Sequence, residues 1–220
     1  MIRIRWSTCS VLCTWFEQYN SQLTRVVYNR FPGMDGNYIA LWNLQSQETI
    51  TTIHSYARVG PYGTQPVWSP SGDEFIMSLF HEGQDDSNSW YTELYRISQD
   101  GEQHQITNLR AYYTEYLFVQ EYQWSPDESQ VAFWLWYTQN GQEKAQLAVI
   151  DMETYQVTNY CIDDRWFTSR ELIWSPDGHQ IVVDAKYGEE AAVLLLDLEN
   201  QRIYRIAKDL WARGWLISSP

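Results

Sequence analysis

Much of the chemistry that marks an enzyme, a disulfide scaffold or a nucleic-acid binder is missing from these 220 residues. The three cysteines, Cys9, Cys13 and Cys161, are too few for a disulfide framework. The Cys-x3-Cys pair has no second ligand pair at zinc spacing, so the cysteines read as structural, with a single Cys9–Cys13 bridge left open. The four histidines, His54, His81, His104 and His179, stand apart and none forms a metal-spaced pair. His81 is expected to open a polar loop and His179 to sit exposed at a strand start. No Gly-x-Ser-x-Gly element is present, so the nucleophile elbow of a serine hydrolase is absent from this sequence. Glycine-rich phosphate loops are absent as well. A carboxylate pair for glycoside chemistry cannot be picked from one sequence. The chain is therefore expected to be non-catalytic and to carry no cofactor or metal.

Positive charge is scarce too. Fifteen Lys and Arg stand against 28 Asp and Glu, for a net charge of −13 and a pI of about 4.6. A phosphate backbone is repelled by that average field, so nucleic acid is not an expected partner. The acidity itself serves solubility. No apolar run approaches the roughly 18 residues that span a bilayer, so membrane insertion is not expected. Arg3 and Arg5 precede Trp6–Phe16 in imitation of a signal peptide, but Ser and Thr interrupt the run and no small-x-small cleavage site follows. Residues 1–21 read instead as a degenerate strand, and the compartment stays open. No helical apolar period persists over any long window.

Aromatic residues are plentiful: 16% of the chain, with 12 Trp and 16 Tyr. They favour strands and carry much packing area. They also recur in register. Trp68-Ser69-Pro70, Trp124-Ser125-Pro126-Asp127 and Trp174-Ser175-Pro176-Asp177-Gly178 place their prolines 56 and 50 residues apart. Five residues after each proline an apolar run begins, at Phe75, Val131 and Ile181. A polar linker, a second apolar run, a polar turn and a short third run follow each time. One strand before the motif and three after it, repeated about every 40–50 residues, is the signature of a propeller blade.

The motif has a physical reading as a hairpin. Pro176 presets its own φ for the second turn position, Asp177 caps the turn and Gly178 takes the left-handed conformation. Ser175 serves the turn backbone, and Trp174 is large enough to fill the wedge between neighbouring blades. Ser71 can still cap its turn. Glu128 stands where Gly178 stands, so the hairpin it closes is expected to be strained or longer.

These motif copies resemble the WD40-like (PD40) repeat of TolB-type β-propellers over roughly residues 20–220. The resemblance implies an all-β propeller of four-stranded antiparallel blades. Blades are expected at 22–56, 65–108, 118–160 and 171–206, with an orphan inner strand at 213–217 after the N-terminal segment 1–21. TolB-like propellers usually have six blades, so four and a part suggest an open, fragment-like arc. Two alternatives are a small ring closed by the C-terminal strand on a first blade that lacks its own inner strand, and an N-terminal segment that supplies that strand itself. An open arc is expected to form homo-oligomers through its exposed edges.

Function in a propeller concentrates on a loop face. Here two sets of loops share one face: 58–64, 109–117 and 161–170, with 81–90, 138–144 and 186–190. The first set is rich in Arg and aromatics, namely Arg58, Tyr62, Arg110, Tyr112, Tyr113, Tyr116, Arg165, Trp166 and Phe167. Those residue types dominate protein–protein hot spots, and they equally pack blade against blade. The stretch 110–119 reads as a loop-to-strand passage or a helical turn. Asp85, Asp86 and Asn88 lack EF-hand spacing and read as a solvated hairpin tip. The resemblance implies a scaffold that binds a protein or peptide through this face. The alternatives are the propeller portion of a prolyl-oligopeptidase-type peptidase, with its hydrolase domain elsewhere, and a glycan-binding propeller. A periplasmic or extracellular setting is compatible with the resemblance.

Overall fold

The computed structural model describes residues 17–30, 37–55, 65–81, 91–113, 116–160, 162, 172–187 and 190–215. The described residues are almost wholly strands, in three sheets of four, eight and four strands in chain order, the eight-stranded one made of two antiparallel four-stranded units. The first unit holds β1 (Glu17–Tyr19), β2 (Arg25–Arg30), β3 (Asn37–Asn43) and β4 (Glu48–Ser55). The second holds β5 (Val67–Trp68), β6 (Glu74–His81), β7 (Tyr91–Ser98) and β8 (Gln103–Gln105). The third holds β9 (Leu117–Trp124), β10 (Gln130–Gln139), β11 (Gln142–Asp151) and β12 (Val157–Tyr160). The fourth holds β13 (Leu172–Trp174), β14 (Gln180–Tyr187), β15 (Glu190–Asp197) and β16 (Arg202–Lys208). A single parallel pairing, Tyr91 with Leu117, joins the second unit to the third.

The strand sequences explain the stacking. In β10, Val131, Phe133 and Leu135 point to one face and Ala132 and Trp134 to the other, and all five are buried. A strand buried on both faces belongs to a sheet covered on both sides. Val131, Phe133 and Leu135 join one core with Phe75, Met77 and Leu94 of the second blade and Ile39 and Leu41 of the first. Ala132 and Trp134 join another with Leu172, Trp174, Ile181 and Leu194 of the fourth.

The repeated motif builds the hairpin expected of it. Ser175 Oγ accepts from Gln180 N (2.9 Å) and donates to Asp177 Oδ1 (2.5 Å), while Gly178 N donates to Ser175 O (2.9 Å). The Ser175 hydroxyl holds the Asp177 carboxyl below the usual carboxylate range, and the Ser125 hydroxyl does the same for Asp127. Glu128 keeps the turn at its ordinary length: Glu128 N donates to Ser125 O (3.1 Å), at φ +64°. That conformation costs a non-glycine residue about 1–2 kcal/mol. The carboxylate offsets the strain by accepting from the backbone N and the hydroxyl of Ser71, in the neighbouring blade's turn. Gly72 is doubly required: at φ +81°, a Cβ there would also meet Ser21 Oγ at 2.5 Å.

The aromatic of each motif stitches its blade to the one before. The indole of Trp68 donates to Gln18 O (3.0 Å), Trp124 to Val67 O (3.0 Å) and Trp174 to Gln123 O (3.1 Å). The acceptor residue in each case stands one place before the preceding blade's own motif aromatic. That regularity assigns a hidden motif to the first blade, Tyr19-Asn20-Ser21-Gln22-Leu23. Asn20 takes the place of the motif serine, its Oδ1 accepting from Arg25 N (2.9 Å), and Leu23 takes the glycine's place at φ +53°. The first blade therefore has an inner strand, β1, within the segment read as degenerate and ahead of residue 22. That is the place the alternative of an N-terminal segment supplying the first blade's inner strand gave to it.

After β16, residues 210–215 form no strand. Trp215 donates its indole N–H to Ile173 O (3.3 Å), continuing the series, and Asp184 accepts from Ala212 N (2.7 Å). Ala212 and Trp215 rest on Val182, Val193 and Leu195, the face of the fourth blade turned away from the third. The orphan strand expected at 213–217 is not formed over 213–215, and its remainder lies outside the described residues.

Candidate functional site

An aromatic patch gathers where the second and third blades meet, at the end of the strands away from the motif turns. His81 ends β6 and pairs across the sheet with Tyr91 at the start of β7. Its ring stacks on Tyr91 (centroids 5.0 Å apart, planes at 14°) and on Tyr95 (5.8 Å, 21°). Tyr95 donates its hydroxyl to Gln105 Oε1 (3.0 Å) and holds the oxygen 3.2 Å from His81 Nε2. The Arg110 guanidinium lies over the other end of the stack, 5.2 Å from the Tyr91 centroid, a cation–π contact. On the other face of β6, toward the third blade, Phe80 meets Phe118 edge-on (5.4 Å), and Phe118 packs on Tyr116 (4.1 Å); Tyr113 packs on Tyr137 (4.5 Å).

The backbone beneath the patch is fixed by a buried carboxylate. Glu93, only 1% exposed, accepts from Thr107 Oγ1 (2.5 Å), Leu109 N (2.9 Å) and Arg110 N (2.9 Å). These bonds cap the 3-10 turn Leu109–Ala111, which interrupts the loop-to-strand passage at 110–119. Next to Glu93, Thr92 Oγ1 accepts from Val119 N (2.6 Å) and ties β9 to β7. Burial raises the hydroxyls of Tyr95, Tyr113 and Tyr116 above the usual tyrosine range, so they remain neutral donors.

Of the residues expected on this face four are described: the Arg110 guanidinium donates to Tyr113 O (3.4 Å), Tyr113 packs on Tyr137, Tyr116 packs on Phe118, and Tyr112 is exposed. Tyr113 is half-buried and packs against the core, as blade packing requires. Arg110 is partly covered by its stack, while Tyr112 (82% exposed) and Tyr116 (50% exposed) face outward. Arg58, Tyr62, Arg165, Trp166 and Phe167, and the tip holding Asp85, Asp86 and Asn88, lie outside the described residues. His81 is the last residue of β6, held in the ring stack, and the loop expected to follow it lies outside the described residues. Glu93, Phe80, Tyr91, Tyr95, Phe118 and Tyr137 are site residues that the sequence reading missed. The signal available was an aromatic or imidazole at the last position of one strand and the first of the next. Among the described residues no group of three or more His, Cys, Asp and Glu is placed to hold a metal, and no helix is long and apolar enough to cross a membrane.

The sequence matches no family model and no curated protein. Solved structures do match. Oligogalacturonate lyase in complex with manganese aligns with a TM-score of 0.58 at 15% identity, over 89% of this chain and 53% of that one. The β-propeller domain of the Trilobed protease from Pyrococcus furiosus aligns at 0.54 and 13% identity, over 89% and 56%. The putative TolB from Agrobacterium tumefaciens aligns at 0.53 and 12% identity, over 89% and 62%. The chain spans less than two thirds of the length of each of these. With its four antiparallel four-stranded units, it has the β-propeller fold.

Proposed function

We propose that this chain is a non-catalytic propeller module, of the TolB-like type with WD40-like (PD40) repeats, that binds a protein or peptide through the patch between its second and third blades. One observation carries the reading. Tyr112 and Tyr116 stand exposed in the passage after a short 3-10 turn whose Leu109 and Arg110 amides are held by the buried Glu93 and whose Arg110 stacks on Tyr91. Exposed aromatics on a preorganised backbone bind with little ordering cost, and Tyr and Arg are the residue types enriched in hot spots. The absence of a Gly-x-Ser-x-Gly element from the sequence supports a non-catalytic role. The same face serves equally a propeller that works beside a hydrolase domain, as the likeness to the Trilobed protease's propeller domain allows.

Peptide display on the immobilised chain, counter-screened on a Tyr112→Ala/Tyr116→Ala double variant, tests this reading. Peptides enriched on the wild type are expected to bind the double variant at least about tenfold more weakly, the loss typical of one or two hot-spot aromatics. The thermal midpoint should hardly move, since both rings are exposed. Peptides that bind both proteins equally, or binding confined to a glycan array, would contradict the proposal.

A further inference from the structure

The outer strand of the fourth blade is exposed at every residue but Ala207. β16 pairs with β15 alone, so among the described residues its other edge carries no strand. Seven residues long, it outruns the outer strands of the second and third blades, β8 with three and β12 with four. The outer strand of the first blade, β4, turns Thr49 and Thr52 to solvent. β16 and the segment after it instead expose Ile203, Tyr204, Ile206, Leu210 and Trp211, at 40–61%. These are five of the nine large apolar side chains exposed among the described residues, so the apolar surface of the molecule is concentrated here.

Positive charge is concentrated on the same strip. Of the fifteen Lys and Arg in the chain, Arg202, Arg205, Lys208 and Arg213 fall within residues 202–213, where Asp209 is the one acid. The Arg205 guanidinium and the Lys208 ammonium share one carboxylate, that of Glu190 at the start of β15 (3.8 and 2.5 Å). Asp197, across the ladder from Arg202, already accepts from the backbone N and the Nδ2 of Asn200 (3.0 and 2.9 Å). The ladder sorts the side chains by face. Arg205 and Lys208 stand by Leu194 and Ala192 on one face, and Tyr204 stands by Leu195 on the other. Val193 pairs with Ala207 and Leu194 with Arg205, so Ile206 is the extra residue of a β-bulge. Bulges and edge cations keep a free edge from pairing with chains of its own kind. Three large apolar side chains set between those cations do the opposite.

An edge that is basic and apolar by turns, on a chain of net charge −13, fits an acidic strand. It does not fit its own copy. Self-pairing centred on β16 sets Arg205 against Arg205 and Arg202 against Lys208, and like charges directly opposite destabilise a pair. An anionic membrane surface is disfavoured by the net charge of the whole chain.

We propose that β16 is a docking edge for an extended acidic peptide, which adds to the fourth blade as a further strand. The peptide backbone completes the ladder, its carboxylates meet Arg205 and Lys208 on one face, and its apolar residues cover Tyr204 on the other. The site lies on the fourth blade, apart from the patch at Tyr112 and Tyr116.

The test is an NMR titration of the β16 backbone amides and the Trp211 indole N–H with the blocked peptide acetyl-Glu-Val-Glu-Val-Glu-amide. Its glutamine counterpart and the same peptide N-methylated at every residue are the comparisons. The acidic peptide is expected to shift the β16 amides and the Trp211 indole. The glutamine counterpart should bind about tenfold more weakly, and the Arg205→Gln/Lys208→Gln variant should lose about as much toward the acidic peptide. The N-methylated peptide should not bind, since it has no backbone donors for the edge. The Tyr112→Ala/Tyr116→Ala variant should bind the acidic peptide normally, which separates this site from ligands of the patch. Silent β16 signals, equal affinity for the glutamine counterpart, or binding of the N-methylated peptide would overturn the proposal. So would β16 signals that move with protein concentration alone, the mark of a second copy, or that answer phosphatidylserine vesicles and not the peptide.

Discussion

Trp124→Ala is expected to destabilise the fold by about 3–5 kcal/mol, the range for removing a large buried aromatic. The side chain is 3% exposed and lies in the core that joins the first three blades. Its indole N–H also meets Val67 O (3.0 Å), on the inner strand of the preceding blade. Truncation leaves both a void and a backbone carbonyl without its donor, so the transfer and cavity losses act together with a lost hydrogen bond. Chemical denaturation checks this: the midpoint should fall with little change in the slope. Trp211→Ala is the control, because Trp211 is 52% exposed and its loss should stay within about 0.5 kcal/mol. Equal behaviour of the two variants would mean that the motif aromatics do not hold the blades together.

The second large effect is expected at Glu93. Its carboxylate serves three donors at once, the Thr107 hydroxyl and the backbone N–H groups of Leu109 and Arg110. Glu93→Ala strands all three in a site with little water, at a cost of about 3 kcal/mol or more. The effect should be local as well as global. Hydrogen exchange at the amides of Leu109 and Arg110 should accelerate more than at β10, because the 3-10 turn loses its cap. Ligand binding at the patch should weaken in parallel, although Glu93 is buried and cannot touch a ligand. A variant that keeps wild-type protection at those two amides would show that the turn is held by other means.

The architecture was legible wherever the repeat kept its own residues. Trp-Ser-Pro marks three hairpins because its residues act separately. The indole stitches, the serine closes and the proline presets φ. The first blade's motif and inner strand escaped notice because substitutes fill these roles there. Asn20 supplies a side-chain oxygen for the serine's, Tyr19 stands for the tryptophan, and Leu23 accepts the left-handed conformation without being glycine. Chemistry preserves the turn while the letters change. Trp215 was hidden differently, since its indole bonds as a motif indole does from three places ahead of the serine aligned with Trp174.

The candidate site was half legible. Arg110, Tyr112, Tyr113 and Tyr116 can be picked as loop aromatics and a cation at a fixed place in the repeat. The ring stack of His81 cannot, because it depends on the register that sets His81 opposite Tyr91, and alternation alone does not reveal partners. Glu93 looks like an exposed charge in a strand, yet it is buried between Thr92 and Leu94, which are buried too. Only the neighbouring turn explains it. The β-bulge in β9, where Glu121 and Tyr122 stand opposite Phe133 alone, did leave a trace. Apolar residues at 117 and 119 and again at 122 and 124 cannot all share a face in a regular strand.

Indole N–H exchange, followed by NMR at each tryptophan, tests the central claim that motif aromatics stitch one blade to the next. Trp68, Trp124, Trp174 and Trp215 each donate to the inner strand of the blade before. Their indole protons are expected to exchange slowly, far behind the exposed Trp211, and those of Trp68, Trp124 and Trp174 should be released together in the global transition. Exchange at these positions as fast as at Trp211, with the backbone amides of β6 and β10 still protected, would contradict the account.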